Sequence, residues 1–117
     1  MRRRSPILYE TVMLSEKRYR KEKAQIWRAI GEILEKPRRR RVAVNLGRIG
    51  RYVNKEEIAV VPGKVLGAGK LDKPITVAAL SFTGQAERKI REAGGRCLTL
   101  KELMEGEYKP SNLVIIG

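Results

Sequence analysis

At 117 residues and 42% hydrophobic content, the chain holds one domain's worth of material, enough for a modest core and too little for two. A formal net charge of +13 makes the compact state repel itself unless a polyanion lies against it, which points to nucleic acid as the partner. The complete absence of histidine removes the commonest general base and metal ligand, together with every Ser-His or Cys-His pair.

The remaining chemistry is equally thin. Cys97 is the only cysteine, set between Arg96 and Leu98, and reads as a small core residue rather than a nucleophile. Glu56 and Glu57 are adjacent and so diverge, and most other acids alternate with bases on helix faces. No catalytic or metal-binding residue is assigned. The charge is unevenly placed: residues 1–41 hold 14 Lys/Arg against five acids, residues 42–74 six against three, and residues 75–117 six against five. The anion-facing surface is therefore expected mainly from the first third. No run approaches a membrane span, and no long apolar segment follows Met1-Arg2-Arg3-Arg4, so neither a signal peptide nor an anchor is expected.

In chain order, Arg2, Arg3 and Arg4 form an arm expected to order only on binding. Ser5-Pro6 reads as an N-cap and first helical position. Leu8, Tyr9, Val12 and Met13 follow at helical spacing as a narrow apolar stripe. The run Lys17-Arg18-Tyr19-Arg20-Lys21-Glu22-Lys23 then sets five cations around one aromatic and one acid. A solvated helix face usually mixes its signs, so Lys17, Arg18, Arg20, Lys21 and Lys23 are assigned to RNA or DNA. Ile26, Trp27, Ile30, Ile33 and Leu34 fall on one side of a second helix, which makes Trp27 a core residue, and Lys36-Pro37 stops that helix. Arg38, Arg39, Arg40 and Arg41 come next. Four consecutive guanidiniums point in several directions and cannot all pair with nearby acids, whereas each can grip a phosphate with two parallel hydrogen bonds.

A strand, Val42 to Leu46, leads into Gly47-Arg48-Ile49-Gly50-Arg51-Tyr52. The small residues Gly47 and Gly50 let backbone approach a phosphate ribbon while Arg48 and Arg51 clamp it. Asn54 to Glu57 is a polar turn into the strand Ile58 to Val61, which Pro62-Gly63 is expected to end. Beyond it, Gly63, Gly67 and Gly69 make a backbone able to lie against an anion, with Lys64 and Lys70 at either end and Lys73 just beyond. A phosphate-binding P-loop would need glycine at Lys64 and a hydroxyl at Leu71, and a dinucleotide fingerprint would need a small residue at Asp72.

The last third carries structural signals. Ile75 to Phe82 lacks alternation and reads as a strand buried on both faces. Thr83 caps a helix with Ala86, Ile90 and Ala93 inside, supported by Glu87 with Arg91 and Arg88 with Glu92, and Gly94-Gly95 supplies a left-handed exit. Arg96 to Leu98 is a short strand. Thr99-Leu100-Lys101-Glu102 is a capping box opening a helix with Leu100, Leu103 and Met104 inside. Pro110-Ser111-Asn112 turns into a final strand, Leu113 to Ile116. Strands alternating with helices predict an α/β core with some parallel pairing.

The run Pro37 to Arg41, then Val44-Asn45-Leu46-Gly47-Arg48-Ile49, Arg51-Tyr52 and Val60-Val61-Pro62-Gly63-Lys64-Val65-Leu66-Gly67, resembles the L-eighteen-e family of archaeal and eukaryotic large-subunit ribosomal proteins. Leu71-Asp72, Thr76-Val77-Ala78-Ala79, Phe82, Ile90, Glu92-Ala93-Gly94-Gly95 and Ile115-Ile116 continue the likeness. The resemblance implies an irregular strand-strand-helix layered α/β core shared with the bacterial L-fifteen proteins, spanning residues 42–117 behind a basic helical extension at residues 1–41. It also implies a structural role in the cytoplasmic ribosome, with large-subunit ribosomal RNA and neighbouring proteins as partners and with no catalysis, cofactor, membrane or small-molecule substrate. Carried over by position, Arg38 to Arg41, Arg48, Arg51, Lys64 and Lys70 would face RNA.

Two rival readings stay open on the residues alone. A DNA-binding or chromatin-type protein would need base-reading side chains near a helix start, and Gln25 and Gln85 are the only glutamines. A nucleotide-binding enzyme would have to use the Gly63 to Lys70 loop.

Overall fold

The β-branched run beginning at Ile58 forms the strand on which the others are laid. The computed structural model describes residues 6–35 and 42–116, in the order α1 (Pro6–Glu22), α2 (Gln25–Glu35), β1 (Val42–Asn45), α3 (Leu46–Tyr52), β2 (Ile58–Leu66), β3 (Thr76–Phe82), α4 (Gly84–Glu92), β4 (Arg96–Thr99), α5 (Leu100–Glu105), a 3-10 turn (Pro110–Asn112) and β5 (Leu113–Ile115). The strand order is β1-β2-β3-β4, with β5 also on β2, and each of these pairings is parallel. Parallel strands need both faces covered, and both are.

β2 does not end at Pro62-Gly63. Its first part, Ile58 to Val60, pairs with β5, and its last part, Gly63 to Leu66, pairs with β1, so β5 and β1 lie end to end along one edge. On the other edge the register against β3 slips between Val61 and Lys64. Pro62 thus sits where the strand changes partner, and a residue without an N–H is tolerated at such a break.

Alternation along the strands divides the core. Val44, Ala59, Val61, Val65, Val77 and Ala79 face Leu46 and Ile49 of α3 and Ala86 and Ile90 of α4. Val60, Ala78, Leu98 and Leu113 face Val12 of α1, Trp27, Ile30 and Leu34 of α2, and Leu100, Leu103 and Met104 of α5. Val77, Ala78 and Ala79 are consecutive and fully buried, as expected for a strand covered on both sides. The end signals hold too. Thr83 Oγ1 accepts from Ala86 N, the Thr99 capping box is made in both directions, and Gly94 takes φ +84° at the exit from α4.

The apolar stripe expected on α1 holds at Val12 but not at Tyr9 and Met13. Tyr9 and Met13 are exposed, while Thr11, Val12 and Ser15 are buried. The cause is the crossing with α2, where a Cβ on Gly31 would collide with Ser15 Oγ, so small groups meet where the axes come close. Ser15 satisfies its hydroxyl by donating to Val12 O at 2.7 Å. The N-cap expected at Ser5 and the side chain of Leu8 lie outside the described residues.

Candidate nucleic-acid interface

The sheet separates the described cations into two surfaces, because α1 packs on one face and α3 on the other. Arg2, Arg3, Arg4 and Arg38 to Arg41 lie outside the described residues.

On α1 the basic run is not uniform. Lys17, Arg20, Lys21 and Lys23 are exposed, with Arg20 only loosely paired to Glu16 at 3.9 Å. Lys23 stands in the left-handed region at φ 59°, where its N–H bonds Tyr19 O and turns the chain into α2. Arg18 differs from all of them. Its side chain is 12% exposed, and Nη1 donates to Met104 O at 2.7 Å in the last turn of α5 and to Gly106 O just beyond it. Its Nη2 meets Glu22 Oε1 at 2.9 Å, and its plane lies 4.5 Å from the centre of the Trp27 ring. Trp27 Nε1 in turn donates to Glu22 Oε2 at 2.6 Å. Partial burial alone would raise the Glu22 carboxyl. The hydrogen bonds from Arg18 and Trp27 and the charges of Arg18 and Lys21 outweigh it and hold the group below its usual range. Arg18 is therefore a cation spent inside the fold, joining α1 to α2 and α5, and its assignment to nucleic acid is withdrawn.

The second surface surrounds α3. Gly47-Arg48-Ile49-Gly50-Arg51-Tyr52 is helical despite two glycines, each of which disfavours helix by about 1 kcal/mol relative to alanine. Packing explains it: a Cβ on Gly69 would lie 2.7 Å from Gly47 Cα, and Gly47 N donates to Ala68 O at 3.1 Å. Gly50 meets Leu71 and the Lys70 carbonyl. Gly67 lies against the side chain of Gln85, and Gly63 is buried in β2. The glycines expected to approach an anion thus chiefly let α3 and the loop approach each other. Lys89, which the sequence did not single out, ties that loop by donating to Gly67 O at 2.7 Å and Gly69 O at 3.0 Å.

The cations stay outside this packing. Arg48, Arg51, Lys64 and Lys70 are exposed. Lys73 is half-buried, its Nζ 3.4 Å from Val53 O at the end of α3. Lys64 is flanked in register by Ala43 on β1 and Ser81 on β3, both exposed, so its ammonium rises from an open part of the sheet. Elsewhere the signs cancel. Arg28 pairs with Glu32, and Arg88 and Arg91 with Glu92 and Glu87, all of them exposed pairs worth little in stability. The groove between α1 and α2 mixes Glu16, Glu32 and Glu35 with Arg20 and Arg28 and is no anion site. Burial raises the Cys97 thiol, with Glu87 adding to this and Arg91 opposing it, which disfavours the nucleophilic thiolate. Among the described residues no group of three or more His, Cys, Asp or Glu is placed to hold a metal, and no helix is long and apolar enough to cross a membrane.

Comparison with known proteins gives this arrangement a context. The family model described as "Ribosomal protein 60S L18 and 50S L18e" matches residues 3–117. A large ribosomal subunit protein eL18 of Archaeoglobus fulgidus is 45% identical over 115 residues, covering 97% of both chains. The proteins of the same name from Methanoregula boonei and Methanothermobacter thermautotrophicus are each 42% identical over 112 residues, covering 96% of this chain and 93% of theirs.

Proposed function

This chain belongs to the ribosomal protein 60S L18 and 50S L18e family, and from that membership we propose that it is a structural constituent of the large ribosomal subunit in the cytoplasm, binding ribosomal RNA through phosphate contacts. The match across residues 3–117 carries this reading, and the exposed cations supply its chemistry. Lys17, Arg20, Lys21 and Lys23 on α1, and Arg48, Arg51, Lys64, Lys70 and Lys73 around α3, neutralise phosphates where RNA helices crowd together. Arg2 to Arg4 and Arg38 to Arg41 belong to the same set. Because α3 is locked against the Gly67 to Lys70 segment, its guanidiniums are offered from a rigid base and little order has to be gained on binding. Duplex RNA presents shape more than readable sequence, so affinity is dominated by phosphate contacts.

The exposed Tyr9 and Met13 on α1 support a neighbouring large-subunit protein as a further partner. Helices on both faces of the parallel sheet support reading the core as the one shared with the L-fifteen proteins. The test is sedimentation of a tagged copy in a cell extract. It should travel with the large subunit and be released by ribonuclease. Migration at the top of the gradient, indifferent to ribonuclease, would end this reading.

A further inference from the structure

Among the described residues Tyr52 is the most exposed of the large apolar side chains, at 64%, and it is the last residue of α3. Two other rings are covered, Trp27 by Arg18 and Tyr19 by Arg28, and the exposed Tyr9 lies on α1, on the other face of the sheet. Tyr52 has no hydrogen bond, ion pair or ring contact among the described residues. At about 100° per residue, Arg51, Arg48 and Tyr52 fall within one arc of about 100° on α3, its middle about 140° from that of the buried Leu46 and Ile49. Lys73 Nζ lies 3.4 Å from the carbonyl of Val53, the residue after Tyr52. The acids nearest Tyr52 in the chain, Glu56 and Glu57, are outnumbered by Arg48, Arg51 and Lys55.

A free aromatic ring with Arg48 one helical turn before it and Arg51 next to it in the chain fits one kind of occupant better than others. An apolar protein surface would strip water from two arginines without pairing them. A perfect RNA duplex hides the faces of its bases, whereas an unpaired nucleotide offers both a π-face and flanking phosphates. Resting on the RNA-binding reading above, we propose that the outer face of α3 takes an unpaired nucleotide, its base laid on the Tyr52 ring and its neighbouring phosphates held by Arg48 and Arg51. Tyr52 then selects a bulge or loop in the RNA, while the arginines supply affinity without selectivity.

The test measures binding of the full chain to large-subunit ribosomal RNA for the wild type and for Tyr52→Phe, Tyr52→Leu and Arg48→Ala. Stacking predicts that Tyr52→Phe stays within about twofold and that Tyr52→Leu weakens by about 5- to 100-fold, with its salt dependence unchanged. Arg48→Ala should weaken binding and also make the slope of log affinity against log salt shallower by about 0.7–0.9. Ultraviolet cross-linking should join Tyr52 to a nucleotide that is chemically reactive, hence unpaired, in the free RNA. Binding by Tyr52→Leu equal to wild type overturns the proposal, as does a loss in Tyr52→Phe as large as in Tyr52→Leu, which would mean that the hydroxyl is what matters. No binding of the RNA by the wild type overturns the broader reading instead, so the two failures are told apart.

Discussion

Replacing Arg18 by alanine separates a structural cation from a nucleic-acid contact, because the two roles predict opposite results. The side chain bonds two carbonyls at the end of α5, pairs with Glu22 and covers Trp27. Hydrogen bonds to charged groups contribute about 1.5–3 kcal/mol each. Water can return to the freed carbonyls, so the low end applies and the loss for Arg18→Ala comes to about 3 kcal/mol. At about 4 °C per kcal/mol for a chain of this size, the melting temperature should fall by about 12 °C. Arg18→Lys keeps the charge but not the planar fork that reaches two carbonyls and a carboxylate together, and should lose about half as much. Lys17→Ala, one residue away and fully outside the network, should not move the melt. Trp27 is the single tryptophan and lies under the Arg18 plane, so its fluorescence reports this junction directly in thermal and denaturant melts. If Arg18→Ala melted with the wild type while its RNA binding lost about one unit of salt slope, the structural assignment would be refuted.

Further outcomes follow from the same contacts. The Glu22 carboxyl is lowered in the fold from its ordinary value of 4.5, so it stabilises the protein above that pH and the benefit disappears as pH falls through the depressed folded value. Denaturant melts at about pH 7 and about pH 3 should therefore show a smaller deficit of Glu22→Gln relative to wild type at the lower pH, and a gap of equal size at both would contradict it. Gly69→Ala meets both a φ of +91° and the Gly47 Cα, and should cost about 2–5 kcal/mol in chemical denaturation. Gly84→Ala opens on free space at the start of α4 and should be neutral or gain about 0.5 kcal/mol. Phosphate contacts by about half of the sixteen cations assigned to RNA predict that log affinity for ribosomal RNA falls with log salt at a slope of about −6 to −7, and filter binding giving a slope shallower than about −2 would exclude the phosphate-dominated mechanism.

Much of the fold was legible because its signals are local. The Thr99 box, the Thr83 cap and the Gly94 exit each depend on residues within four positions, and each stands as expected. The amphipathic period of α2 placed Trp27, Ile30 and Leu34 in the core. In one dimension Gly47 to Tyr52 reads as a glycine-spaced segment, since two glycines in the seven residues of α3 argue against a helix, and only the packing of Gly69 against Gly47 accounts for it. The Arg48, Arg51 and Tyr52 arc could have been found from helical spacing once that segment was taken as helix. Pro62 misled for a similar reason, because a strand that changes partners at a proline looks in one dimension like two ended strands.

By itself, the sequence determined composition-level and short-range matters: an excess of cations needing a polyanion, the periods of helices and strands, and the residues that start and stop them. Which cations remain available was decided only in three dimensions. Arg18 and Lys17 are neighbours of like charge on one helix, yet Arg18 is consumed by a carbonyl 86 positions further along the chain while Lys17 faces solvent. The physical reason is that a guanidinium's fate depends on the acceptors within about 3 Å of it, and a chain brings those acceptors together only by folding.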